Sequence, residues 1–223
     1  MRIERRAAGI VAAGLLSLAA GVALAAPPAT WDGLELRKVK GVDAVYVRPG
    51  VEFKDYRSVY LDPVEVAFDK NWNPNRSGGS SNRMSSADIE KLRGEMASEF
   101  QRIFAEQLRA GGYQVVTQPG DDTLQVSAGL ADVYVNAPDK PTAGRSYTFT
   151  VSAGRMTLVM ELRDGPTAQL LARVVDQHVG RENGAMTLTN GVSNSAEFRR
   201  AVKGWADRLV KALDKVSGKA GPG

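Results

Sequence analysis

The chain has 223 residues, of which 43% are hydrophobic and 24% charged, with no cysteine and a formal net charge of +4. That composition supports one globular domain able to bury a core of its own. It excludes disulfide staples and thiolate chemistry, and a slight positive charge without a basic stripe interleaved with aromatics excludes nucleic-acid binding.

Residues 1–25 read as a signal peptide. Arg2, Arg5 and Arg6 outweigh Glu4 at its start, and Ala7 to Leu24 carries no charge. Ala23 and Ala25 put small side chains where a signal peptidase needs them, with Ala26 as the first residue after the cut. An uncleaved anchor is the competing reading, but the Ala/Gly-rich stretch is weakly hydrophobic. Cleavage predicts a periplasmic or secreted product. With no cysteine to carry a lipid, it is not expected to be lipid-anchored through Cys.

After a short tether at 26–30, residues 31–217 read as a single α+β domain, followed by a disordered tail at 218–223. Ala44 to Pro49 and Val59 to Phe68 are β-branched and aromatic runs bounded by Pro and Gly, which predicts strands. Asp69 to Ser85 is polar and turn-rich apart from Trp72 and Met84, and is expected to be a mobile loop with Trp72 as a candidate interaction surface.

The first helix is the clearest element. Ser85 or Ser86 can cap it, and Asp88 suits the positive end of its dipole. Ile89, Leu92, Met96, Phe100, Ile103, Phe104 and Leu108 recur at steps of three and four, giving one apolar stripe that ends at Gly111-Gly112. Gly94 lies off that stripe, where glycine costs about 1 kcal/mol relative to alanine.

Further strands follow. Tyr113 to Thr117 is short; Leu124, Val126, Ala128 and Leu130 alternate with small or polar residues. Tyr147, Phe149 and Val151 lead past Ala153-Gly154 into Met156, Leu158, Met160 and Leu162. Asp164 to Thr167 turns the chain into Leu170 to Val179, a hairpin. The pattern predicts an antiparallel or mixed sheet of about five to six strands, without a strand–helix–strand crossover, packed against two amphipathic helices. The second helix is expected from a capping pair, Asn194 with Glu197. Phe198, Val202, Trp205, Leu209, Leu213 and Val216 line its apolar side. Arg199, Arg200, Lys203, Arg208, Lys211 and Lys215 form a basic surface, read as a solvated face.

Catalytic signals are weak. His178 is the only histidine, and zinc sites or Ser/His machinery usually need a partner at fixed spacing. Gly191-Val192-Ser193-Asn194-Ser195 approaches a nucleophile elbow but lacks the final Gly, and His178 precedes the serine where that fold places it after. Asp121, Asp122, Asp132, Glu161, Asp164 and Asp176 form no calcium loop and read as turn-formers or surface charges. No phosphate loop or dinucleotide fingerprint occurs. No cofactor or metal is expected, and the chain does not read as an enzyme.

Several stretches resemble the bacterial family called domain of unknown function 3313. They are Asp32-Gly33-Leu34, Val45 to Gly50, Tyr56, Val59 to Val66, Gly112 to Val116, and Leu162-Arg163-Asp164 with Thr167 and Asp176. The resemblance runs from about Trp31 to the last helix. Members are mostly described as lipoproteins with no assigned activity; this chain departs from them in having Ala where a lipid-bearing Cys would stand. The element order also resembles small periplasmic α+β modules of envelope assembly proteins, an architectural likeness that does not fix function.

The expected function is a non-catalytic binding or assembly module of the cell envelope. Its partners would be envelope proteins, peptidoglycan or a membrane surface, met by unpaired strand edges and the Trp72 loop. The alternative is a small-molecule-binding protein or unrecognised hydrolase with a pocket between sheet and helices. A pocket gathering His178, Asp176 and a serine hydroxyl separates the two.

Overall fold

The computed structural model describes residues 27–75, 83–136, 152–179 and 191–217. The leader with Ala23, Ala25 and Ala26, the centre of the Asp69–Ser85 loop, the expected Tyr147–Val151 strand and the tail lie outside them. In chain order, β1 (Thr30–Trp31), β2 (Leu34–Arg37), β3 (Ala44–Val47), β4 (Ser58–Leu61) and β5 (Glu65–Phe68) precede α1 (Ser86–Ala110). Then come β6 (Gln114–Val116), β7 (Thr123–Asn136), β8 (Ser152–Asp164), β9 (Leu170–Val179) and α2 (Gly191–Ser217).

These strands make one sheet in the order β1-β2-β3-β9-β8-β7-β4-β6, with β5 also paired to β7. Among the described residues it has nine strands, where the sequence predicts five or six. Part of the excess is a short N-terminal hairpin, β1–β2. Another part is Pro63, which has no N–H for a ladder and breaks the predicted Val59–Phe68 strand into β4 and β5. Both pieces lie along β7.

The sheet is mixed. Pairing is antiparallel from β1 through to β7, and parallel where β4 and β5 meet β7 and where β6 meets β4. The absence of a crossover expected from sequence is therefore overturned: α1 carries the chain back so that β6 runs alongside β4 in the same direction. Alternation within a strand records which face is buried and carries no record of strand direction.

Both helices cover one face. Leu92, Met96, Phe100, Ile103, Phe104 and Leu108 of α1 are buried as the predicted stripe requires, against Leu124, Val126, Leu130, Leu158 and Met160 of the sheet. Phe100 and Phe104 stack at 4.4 Å. A capping box between Ser85 and Asp88 starts α1. Phe198, Val202, Trp205, Leu209 and Leu213 of α2 join the same core, whereas Val216, placed on that stripe by the sequence, is 51% exposed. α2 starts at Gly191, ahead of the predicted Asn194–Glu197 cap.

The helices are fastened to each other and to the sheet. Glu99 of α1 accepts from Arg102 at 2.8 Å and from Arg199 of α2 at 2.6 Å. The hydrogen bond from Arg102, joined by that from Arg199 and opposed by burial, holds the Glu99 carboxyl down to about 2. A depressed carboxyl contributes stability that is complete above its ordinary value of 4.5 and is lost as pH falls from there through about 2. The loss is expected to be on the order of 1 kcal/mol, since both arginines are half exposed. Glu99→Gln should remove this acid dependence in denaturant titrations at pH 5 and below.

Gly94 within α1 and Gly111 at its C-cap have opposite requirements. A Cβ on Gly111 would meet Val210 Cγ1 of α2 at 2.5 Å, while one on Gly94 would meet nothing within 4 Å. Gly111→Ala is expected to destabilise by about 1–3 kcal/mol through forced separation of the helices. Gly94→Ala is expected to stabilise by about 0.5–1 kcal/mol by restricting the unfolded chain. Thermal melts of the two variants should move in opposite directions.

Candidate functional site

The sheet face away from the helices carries a row of directly opposed residues: Leu36, Tyr46, Arg173, Glu161 and Ser127, one from each of β2, β3, β9, β8 and β7. At its centre is a buried ion pair. Glu161 and Arg173 are 4% and 6% exposed, and Arg173 donates twice to Glu161 Oε1, at 2.9 and 2.6 Å. Arg163 donates to the other Glu161 oxygen at 2.5 Å. The β1–β2 turn folds over Arg173, with Asp32 accepting from it at 2.8 Å and the Trp31 ring 4.1 Å from its guanidinium carbon. Burial pushes the Tyr46 phenol up, and Arg173 pulls against that shift.

This row has a structural role that the sequence did not reveal. Glu161 was expected as a surface charge, because its place in an alternating strand looks outward. Arg173, itself covered by the β1–β2 turn, and Arg163 pair with it and turn an outward charge into a buried one. The turn is possible because Asp32 and Gly33 both adopt positive φ, 53° and 76°.

The second assembly lies where β3 and β9 meet α2. Asp176 is buried, and its carboxylate accepts from Trp205 Nε1 at 2.7 Å, Arg208 Nη1 at 3.1 Å and the Asp43 backbone N–H at 3.0 Å. Asp43 returns the interaction by accepting from the Gln177 backbone N–H at 2.7 Å. Asp176, also read as a turn-former or surface charge, is thus the fastener between α2, β9 and the start of β3. The Trp205 ring, brought over β9 by the α2 stripe, buries it.

His178 lies two residues along β9 on the same side. Its ring stands edge-on to Trp205 with centroids 6.4 Å apart, and Nε2 is 3.9 Å from Glu197 Oε1. That nitrogen is buried and has no hydrogen-bond partner among the described residues. Gly41, Asp43, His178, Arg200, Gly204 and Arg208 help to line an open, mainly polar cleft of about 550 Å3. The structure therefore brings His178 and Asp176 together as the hydrolase reading asks. Among the described residues, no serine hydroxyl lines the cleft, and each Asp176 oxygen already accepts a hydrogen bond. Ser193 and Ser195 belong to the first turns of α2, where side chains lie outside the described residues.

Trp72 is half-buried. It stacks on Phe68 at 4.2 Å, and its indole N–H donates to the Val135 carbonyl at 2.8 Å. The ring therefore anchors the start of its loop. Asn75 closes the other end through two hydrogen bonds with the Met84 backbone.

Most of the residues that carry the family resemblance hold the fold together. Tyr56 donates to Asp164 at 2.8 Å, and Asp164 also accepts from the Thr167 backbone and hydroxyl, closing the β8–β9 turn. The Thr167 hydroxyl, aided by Tyr56 and opposed by burial, keeps the Asp164 carboxyl below its ordinary range. Asp62 accepts from Gln125 and Ser127, and Tyr113 donates to buried Asp214 of α2 at 3.0 Å.

Among the described residues no group of three or more acidic or histidine side chains is placed to hold a metal ion, and no helix is long and apolar enough to cross a membrane. A family model described as "Protein of unknown function (DUF3313)" matches residues 29–209. No curated protein matches. Solved structures with a related outline include the PelC dodecamer of Paraburkholderia phytofirmans, at 12% identity and TM-score 0.37, covering 76% of this chain and 95% of that one. A DUF330 protein of Xanthomonas campestris aligns at 11% identity and TM-score 0.41, over 78% and 91% of the two chains. A minor lipoprotein of Acinetobacter baumannii aligns at 10% identity and TM-score 0.32, over 74% and 95%. Likenesses this distant carry no argument about activity.

Proposed function

This chain belongs to the protein family of unknown function DUF3313, and we propose that it is an exported, non-catalytic binding module of the bacterial envelope. The observation that carries the reading is the commitment of Asp176 to three donors, two from α2 and one from the start of β3. A carboxylate so engaged orients α2 and is not free to serve His178 as the acid–base partner that nucleophilic machinery needs. The leader supports export, and the absence of cysteine argues for a product free of an N-terminal lipid.

The test combines fractionation with genetics. Mass spectrometry of the periplasmic fraction should find the chain beginning at Ala26. Cross-linking in intact cells should then identify an envelope partner, and His178→Ala should leave that cross-link and any loss-of-function phenotype unchanged. A folded His178→Ala variant that reproduces the deletion phenotype would overturn the non-catalytic reading, and a chain that keeps Met1 would overturn export by cleavage.

A further inference from the structure

We propose that the cleft between α2 and the adjoining ends of β3 and β9 binds an oxyanion, a phosphate or carboxylate group carried on a larger ligand. The inference deepens the binding reading above and rests on it, since a cleft that turned its ligand over would be catalytic.

Charge comes first. Of the two guanidinium groups on the cleft wall, Arg208 is neutralised by Asp176, whereas Arg200 meets no carboxylate among the described residues. The nearby acids are already engaged: Asp176 accepts three hydrogen bonds, Asp43 caps the Gln177 N–H, and Glu197 stands 3.9 Å from His178. Arg200 is therefore the one charged group of the lining without a hydrogen-bond or ion-pair partner among the described residues. Planar guanidinium donors favour phosphate and carboxylate geometry over other anions.

Shape comes second. Arg200, Gly204, Arg208, Lys211 and Lys215 follow at steps of four, four, three and four, so they share one helix face. Gly204 sits between the two arginines in mid-helix, where glycine is unfavourable by about 1 kcal/mol. A Cβ there would meet nothing within 4 Å, so the core does not demand this glycine, and its bare backbone deepens the cleft. Gly41 at φ +78° forms the opposite rim, again with open space at the Cβ position. A volume of about 550 Å3 suits a small ligand or the head of a larger one.

His178 comes third. Its Nε2 is buried and unpartnered among the described residues, which is costly unless a ligand supplies a partner. Turning the ring toward the cleft would let it pair with an oxyanion held by Arg200.

The test uses the full exported chain and three probes: inorganic phosphate, acetate, and vesicles of phosphatidylglycerol compared with phosphatidylcholine. Saturable shifts of the His178 ring and Arg200 side-chain NMR signals with phosphate or acetate support a soluble ligand. Sedimentation with phosphatidylglycerol vesicles alone supports a lipid headgroup as the source. In either case Arg200→Ala should weaken binding roughly tenfold or more, and Gly204→Leu should block it with an unfolding midpoint equal to or above the parent's, since a side chain replaces a mid-helix glycine with open space around it. No saturable binding of any probe, or binding untouched by both substitutions, overturns the proposal. A phosphomonoester that binds and is cleaved, followed by phosphorus NMR, keeps the site but overturns the non-catalytic reading.

Discussion

Trp205→Ala is expected to lower the unfolding free energy by about 3–5 kcal/mol. Two losses combine. The ring is 4% exposed and belongs to the main core, so removing it leaves a large cavity under α2. Its N–H also supplies one of the three hydrogen bonds to Asp176. Trp205→Phe separates these terms: it keeps most of the packing and should cost about 1–3 kcal/mol for the carboxylate left short of a donor. Urea titrations followed by circular dichroism would measure both. A midpoint for Trp205→Ala equal to that of the parent would mean that α2 does not dock on β9 as described.

The second large effect is expected at the buried ion pair. Arg173→Met should cost about 3–5 kcal/mol, because Glu161 is left buried with only Arg163 for company. The same change frees Asp32 and removes the cation from beneath Trp31, so the β1–β2 turn should lose protection in hydrogen exchange. The double variant Glu161→Leu with Arg173→Met is expected to be more stable than either single variant, since apolar replacement of both partners removes the desolvation penalty as well as the attraction. A single Arg173→Met variant within about 1 kcal/mol of the parent would show that the pair is solvated and that the turn does not cover it.

Some features were fully legible in the residues. The α1 stripe from Leu92 to Leu108 and the Ser85 cap need only neighbours three and four positions away. Leu124 to Leu130 and Met156 to Leu162 need only alternate positions. Most of the site was not readable in this way. His178 stood out as the only histidine and Asp176 as one of several carboxylates, yet their environment depends on Trp205 and Arg208, roughly thirty residues later. Arg200 and Arg208 looked like an ordinary solvated helix face. Only the docking of α2 against β9 makes them the wall of a cleft. Trp72 reads from sequence as a candidate contact residue, and its anchoring role is not visible there because the carbonyl that receives its N–H lies 63 residues away on β7.

By itself, the sequence determined two amphipathic helices, the buried faces of β7 and β8, the hairpin at Asp164–Thr167, and the family. Each depends on local periodicity or turn chemistry, which neighbouring residues encode directly. Tertiary structure alone decided the parallel placement of β4, β5 and β6, the burial of the Glu161–Arg173 pair with the β1–β2 turn over Arg173, and the cleft at Asp176. Those depend on which distant segments become neighbours: Arg173 and Asp32 are 141 positions apart. Side-chain periodicity specifies a face to be buried, and only the assembled sheet specifies what buries it.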